Sequence, residues 1–497
     1  MNIRSLPRRA FLSGALACTA LPAVAQAPTV SLRPRLRDLR RANSSGLDAL
    51  LSKSGVTGQV VFAVADADTG DVLEGRLTQV GLAPASVAKA ITAVYAQDTL
   101  GAEHRFSTTV TAAGTISNGI LDGDLILVGG CDPTLDTRGL ADLATQLKAS
   151  GLREVRGRFI VYENALRPLP SIDPGQPDHV GYNPAVSGIA LNYNRVHFEW
   201  RRNAGKYALT MDARTAGYRP DVTMAQMEVV DRSVPIFTYE DIAGHDQWTV
   251  AKGALGKEGA RWLPVRRPGL YAGDVFATLA RSHGIVLARP ELTATVPQTG
   301  LTTLAHIQSP PLRDILRGML KFSNNLTAEM VGLAATRART GRAHTLAGSA
   351  RQMNLWAIEK LGMQKPAFVD HSGLGAASRI TPQDMVRGLA AARRNATLRP
   401  ILKPVTLRDA KGRPLKNHPI KVDAKTGTLN FVSGLAGYIT APNGREMVFA
   451  IFCANEDIRA TITRANRERP KGARPWANRA RRLQRDLLER WGNQFSA

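Results

Sequence analysis

The chain has 497 residues, 44% of them hydrophobic and 21% charged, a composition that excludes a fibrous or intrinsically disordered protein. At roughly 150 residues per domain the length points to about three domains. The formal charge of +24, from 65 Lys and Arg against 41 Asp and Glu, favours an anionic partner: nucleic acid, anionic lipid or cell-wall polymer.

Residues 1–27 read as an export signal. Arg8 and Arg9 precede Phe11 and Leu12, a short apolar run extends from Leu12 to Ala25, and small residues follow through Ala27. The paired arginines fit a twin-arginine signal, and the alanine-rich run also suits the general secretory route. A spanning helix needs about 20 apolar residues, so no transmembrane segment is expected in the mature chain. Export places the protein in the periplasm or another extracytoplasmic space. With no recognition motif as well, that excludes nucleic acid as a partner. Cys18 falls inside the signal, leaving Cys131 and Cys453 without a disulfide framework.

Gly58 to Asp66 predicts an apolar strand, and Asp68 to Asp71 turn it into a hairpin with Val72 and Leu73. Pro84-Ala85-Ser86 then opens an alanine-rich helix from Val87 to Leu100 that stops at Gly101. Residues 102–267 change character: strand-like runs such as Asp124 to Val128 and Arg158 to Tyr162 are separated by Gly, Pro and Asp clusters, as in inserted β-rich material. Between Pro311 and Met330, Leu312, Ile315, Leu316, Met319 and Leu320 mark one face of a helix whose far end is interrupted by Ser323-Asn324-Asn325. Val422 to Leu429, Ser433 to Thr440 and Met447 to Cys453 read as an antiparallel meander, the last two strands joined through Asn443-Gly444. Trp476 to Trp491 forms an amphipathic helix with an aromatic stripe and a basic face, suited to packing on a sheet or to docking on a membrane.

Three short motifs carry chemistry. Ser86 and Lys89 stand three residues apart at a helix start, so hydroxyl and amine share a face. A serine becomes nucleophilic when a base takes its proton, and a lysine, with its ordinary pKa near about 10.4, serves only where burial or a second cation keeps it neutral. Ser323 offers a second hydroxyl for a proton relay, and Asn325 an amide for the lysine or a substrate carbonyl. Lys425-Thr426-Gly427 places a cation on a strand edge that a substrate backbone can approach closely at the glycine.

The ordered set Ser-x-x-Lys, Ser-x-Asn and Lys-Thr-Gly resembles that of penicillin-binding proteins and serine β-lactamases. The 237 residues between Ser86 and Ser323 exceed the gap of a β-lactamase. The chain looks like the class C, low-molecular-mass penicillin-binding proteins, the D-alanyl-D-alanine carboxypeptidase/endopeptidase family. The flanks Gly123 to Leu135, Leu320 to Glu329, Asp370 to Leu374 and Ala424 to Leu429 extend the resemblance from about residue 40 to 455. His371 stands where that family usually has Gly, Cys131 replaces a small residue, and the arginine-rich tail after Cys453 has no counterpart in the resemblance.

The resemblance implies an α/β fold: a transpeptidase-like domain of antiparallel sheet and helices from residues 28–101 and 268–497, split by two nested domains in 102–267. It also implies a serine DD-peptidase. Ser86 forms the acyl-enzyme, Lys89 takes its proton and Ser323 relays a proton to the leaving D-Ala. Asn325 holds the acyl side chain and orients Lys89; Lys425, Thr426 and Thr428 bind the terminal carboxylate, and Gly427 admits the substrate backbone. The backbone N–H groups of Ser86 and Thr428 form an oxyanion hole. Peptidoglycan stem peptides and covalently bound penicillins are the implied ligands, with no cofactor or metal. A β-lactamase and a catalytically silent wall-binding scaffold are the alternatives.

Overall fold

The computed structural model describes residues 46–496 apart from 298, 395, 410 and 411. The expected export signal lies outside the described residues. A six-stranded antiparallel sheet carries the Lys425-Thr426-Gly427 motif. In spatial order its strands are Lys403–Pro404, Lys421–Leu429, Val432–Thr440, Glu446–Ala454, Gln59–Asp66 and Val72–Arg76. The predicted meander and the N-terminal hairpin thus join in one sheet, the hairpin pairing along Glu446–Ala454. Val432–Thr440 and Glu446–Ala454 are almost wholly buried, as central strands covered on both faces must be.

Helix Ala473–Gln494 covers one face. Trp491 packs against Phe62 and Phe449, with ring centroids 5.7 and 6.2 Å away. Its indole N–H reaches Glu74 at 2.7 Å, and Gln484 donates to the Ser433 hydroxyl at 3.1 Å. The aromatic stripe is therefore buried on the sheet, and the membrane-docking alternative has no apolar face left to use.

Helix Ala88–Leu100 lies on the other side and is buried all round from Ala88 to Gln97. A helix made of Ala, Ile, Val and Thr, with no polar face, has that environment as its stable place. Gly101 ends it at φ 87°. The helical pattern expected over 311–330 resolves into two helices, Leu312–Phe322 and Asn325–Thr340, broken at Ser323.

A second core has its own sheet: Glu291–Thr293, Phe159–Tyr162, Ile120–Gly130, Ser107–Ser117 and Leu301–Gln308, with Glu154–Val155 also paired to Ile120–Gly130. Two three-stranded sheets accompany it. One contains Phe237–Ile242, His245–Ala251 and Ala225–Val230; the other contains Glu258–Pro264, Arg195–Asn203 and Lys206–Asp212. Helix Pro268–Ser282 buries Tyr271, Val275, Phe276 and Leu279 in this second core, and Leu301–Gln308 is an edge of its sheet. The chain rejoins the first core at Leu312. Pro268 stands at the N-terminal end of its helix, where a proline's missing N–H costs nothing.

Cys131 and Cys453 are free and buried. Among the described residues no helix is long and apolar enough to cross a membrane, and no group of three or more His, Cys, Asp and Glu is placed to hold a metal ion.

Candidate active site

Ser86 sits in the tight turn Ala85–Val87 that leads straight into helix Ala88–Leu100. Ala85 takes φ 49° there, and two glycines let this turn approach the rest of the fold. A side-chain carbon on Gly427 would lie 2.5 Å from the Pro84 carbonyl oxygen and 3.0 Å from the Ser86 nitrogen; one on Gly373 would lie 1.9 Å from the Ala85 carbonyl oxygen. The Lys-Thr-Gly strand and the Asp370 to Leu374 loop thus meet the Ser86 turn at backbone distance.

One helical turn on, Lys89 is fully buried. Its Nζ lies 2.7 Å from Asn325 Oδ1, 2.7 Å from the Ser372 carbonyl oxygen and 3.1 Å from Ser86 Oγ. Three partners match the three protons of an ammonium. In the neutral amine, the two carbonyl oxygens, which only accept, engage the two N–H bonds and leave the lone pair facing Ser86. Burial, and after it the charge of Lys425, push Lys89 down to about 7, against the pull of the Glu329 and Asp370 carboxylates. Both forms are therefore populated near neutrality.

Ser323 caps helix Leu312–Phe322 in the left-handed conformation, φ 57°, and its hydroxyl accepts from Lys425 Nζ at 3.0 Å. Lys425 also donates to the Thr426 carbonyl at 2.8 Å. Burial, helped by Lys403, lowers Lys425 to about 8. Asn324 caps the next helix by accepting from Thr327 N–H, which brings Asn325 to the first turn facing Lys89. The Asn325 amide donates onward to the Tyr182 carbonyl at 2.9 Å, a contact with the inserted segment. Thr428 pairs in register with Ser433 and is exposed on the cleft, and Thr426 is exposed.

Ser86, Ser323, Asn325 and Thr428 line a cleft of about 910 Å³, shared with Gln176 and Tyr182 from the inserted segment and with residues 459–481. Lys89 and Lys425 lie beneath its floor. A separate concavity of about 360 Å³ around Tyr239, Asp241 and Arg266 holds none of the motif residues.

Two residues assigned no role from the sequence hold this arrangement. Glu329 is fully buried and accepts the N–H groups of His371 and Ser372 at 3.0 and 2.9 Å. Asp370 accepts those of Gly373 and Gly375, both at 2.6 Å. Together they clamp the loop whose Ser372 carbonyl touches Lys89. Burial and the neighbouring Asp370 charge push Glu329 up to about 8, and burial raises Asp370 as well. In the sequence both stand only as flanks of motifs. His371 is buried too, pushed down to about 3 by burial, and its ring nitrogen meets the Ser349 hydroxyl at 2.7 Å.

A serine hydroxyl held against a buried, partly neutral lysine, with a second serine on a second lysine across the cleft, defines an active-site serine hydrolase of the Ser-x-x-Lys kind. The D-Ala-D-Ala carboxypeptidase 3 (S13) family model matches residues 43–471, and the chain belongs to that family. It is a serine-type D-Ala-D-Ala carboxypeptidase. It is 27% identical over 460 residues to the D-alanyl-D-alanine carboxypeptidase of Actinomadura sp. (strain R39), covering 84% of this chain and 81% of that one. Against the D-alanyl-D-alanine carboxypeptidase DacB of Haemophilus influenzae it is 26% identical over 390 residues, covering 74% and 79%. The crystal structure of penicillin binding protein 4 from Haemophilus influenzae shares its fold, with a TM-score of 0.70 at 22% identity, covering 88% of this chain and 98% of that one.

Proposed function

We propose that the chain hydrolyses D-alanyl-D-alanine ends of peptidoglycan stem peptides through an acyl-enzyme on Ser86, and that penicillins acylate the same oxygen. The observation that carries this reading is the Lys89 amine, fixed by Asn325 and Ser372 so that its remaining direction faces Ser86 Oγ. Lys89 takes the Ser86 proton as Oγ attacks the penultimate D-Ala carbonyl. The oxyanion forms at the Ser86 and Thr428 N–H groups. Ser323, polarised by Lys425, relays the proton that Lys89 took from Ser86 to the departing D-Ala nitrogen, which returns Lys89 to the neutral amine. Water then attacks the ester, with Lys89 again as base.

Lys425 and the hydroxyls of Thr426 and Thr428 bind the terminal carboxylate, Gly427 admits the substrate backbone, and Asn325 holds the acyl-side amide. The open cleft also suits the D-alanyl cross-link of two stem peptides, an endopeptidase reaction with the same chemistry and a bulkier leaving amine. The inserted segment, read as two nested domains in 102–267, supplies Gln176 and Tyr182 to one cleft wall. The leader around Arg8 and Arg9 supports delivery to the periplasm.

Intact-protein mass spectrometry tests the reading. Incubation with benzylpenicillin is expected to add one penicillin mass on Ser86 that persists for minutes, and defined muropeptides to lose D-Ala. No adduct would overturn the Ser86 assignment, and an adduct lost within seconds would instead mark a β-lactamase.

A further inference from the structure

The chain after Asn455 builds a wall of the Ser86 cleft that the three motifs do not explain. Arg459, Arg467, Arg469, Arg474 and Arg481 all line it, and Glu468 is the acidic residue among its walls. Glu468 is already engaged, by His179 at 2.8 Å and Arg261 at 3.2 Å. Arg459 donates to Glu456, and Arg467 to the Gly175 carbonyl. Arg469 and Arg474 are exposed, and neither has a hydrogen-bond or ion-pair partner among the described residues. Five cations on one concave surface focus a positive potential into it, which draws in an anion.

The route from Ser86 to this wall is laid out by the sheet. Strand Lys421–Leu429 is covered on its outer edge by Lys403–Pro404 at Asp423 and Ala424 and by Val405 at Val422, and this pairing stops short of Lys425 to Leu429, whose far end lines the cleft. A peptide laid along that edge, at about 3.3 Å per residue, passes Thr428 and Leu429 and arrives at Asn430. That residue is bonded to two residues of the wall: its carbonyl accepts from Arg459 at 2.7 Å, and its amide donates to the Arg467 carbonyl at 2.6 Å. With the substrate's terminal carboxylate at Lys425, the peptide reaching Asn430 is the acyl-donor arm.

We infer that this arginine wall is a subsite for free carboxylates on the acyl-donor peptide, upstream of the residue whose carbonyl Ser86 attacks. The inference rests on the Ser86 reading above and adds its substrate class: stem peptides whose upstream carboxylates are free, in preference to the same peptides carrying carboxamides. A guanidinium recognises a carboxylate through paired N–H donors, and the amide offers one acceptor and no charge.

The test compares D-Ala release by the full chain from two synthetic stem peptides that differ only in carboxylate against carboxamide upstream of the acyl residue. The acid is expected to be preferred by roughly tenfold in kcat/KM at low salt, mainly through KM, with the preference shrinking as salt screens the wall. Arg469→Gln with Arg474→Gln should bring the ratio close to one, and the corresponding Lys pair should restore part of it. Equal rates for the two peptides in the wild-type chain would overturn the inference, as would a double variant that keeps the full preference. Benzylpenicillin, whose single carboxylate belongs at the Lys425 end, separates the two readings. A wild-type chain that labels but does not discriminate sinks the wall alone, and one that does not label sinks the Ser86 chemistry.

Discussion

Two lysines with different jobs set the pH response of this site. Lys89 works as the neutral amine, so acylation is expected to climb about tenfold per pH unit below about 7 and level off above it. Lys425 works as the cation, so the rate should fall as pH rises through about 8. Stopped-flow acylation by a chromogenic β-lactam across pH 5 to 10, values about which the two limbs are placed, should give a narrow bell. Lys425→Arg keeps its charge at high pH and should remove the alkaline limb while retaining measurable acylation. Lys89→Arg should abolish acylation, because a guanidinium cannot surrender its proton; a Lys89→Arg enzyme as fast as Lys425→Arg would reverse the assigned roles. Glu329→Gln probes the support beneath them. One of the two N–H groups it accepts would face an NH2, costing about 1–3 kcal/mol of stability. Glu329 pulls Lys89 up only as a carboxylate, and with its own pKa pushed up to about 8 it is largely protonated across the acid limb, so that limb should stay in place. Urea titration and the same pH series check the two expectations separately.

At the level of elements, the site depends on backbones that touch. Gly373 has φ 74°, and a methyl there would overlap the Ala85 carbonyl. Gly373→Ala is therefore expected to push the Ser372 loop off Lys89 and cut acylation by at least about a hundredfold, the strain and displacement amounting to about 1–3 kcal/mol or more; near wild-type labelling would show that the loop does not position the base. Such contacts explain what could be read from the chain and what could not. The hairpin, the Ser86 helix and the C-terminal meander announced themselves because each has a local signal: alternating or continuous apolar runs, Asp-Thr-Gly and Asn-Gly turns, a glycine stop. Ser86, Lys89, Ser323, Asn325 and Lys425 are visible as motifs, and the structure brings them to one cleft as two hydrogen-bonded sets, Lys89 with Ser86 and Asn325, and Lys425 with Ser323. Glu329 and Asp370 carry no spacing signal, since their role is to accept N–H groups of a loop more than forty residues further on or of their own turn. Which core helix Pro268–Ser282 joins is likewise decided by tertiary packing, and its sequence suits either.

For the molecule as a whole, the basic helix Ala473–Gln494 is both a structural cover and, through its first two turns, part of the cleft. Trp491→Ala removes a fully buried indole and its bond to Glu74, and should cost about 3–5 kcal/mol. Thermal unfolding is expected to shift down by several degrees, whereas an unchanged midpoint would mean the helix is not packed as described. The order of strands in the main sheet has a further consequence, for the life of the chain before it is an enzyme. Gln59–Asp66 lies between Val72–Arg76, which is next in sequence, and Glu446–Ala454, which is made only after almost the whole chain. Ser86 likewise waits for Lys425, 339 residues later. The second core lies between those two halves in sequence and contains its own sheets; the nucleophile cannot be assembled until the last strands arrive. Slow, long-range closure of this kind keeps a wall-cutting hydrolase without a working site throughout its synthesis, a built-in delay that needs no inhibitor or pro-segment.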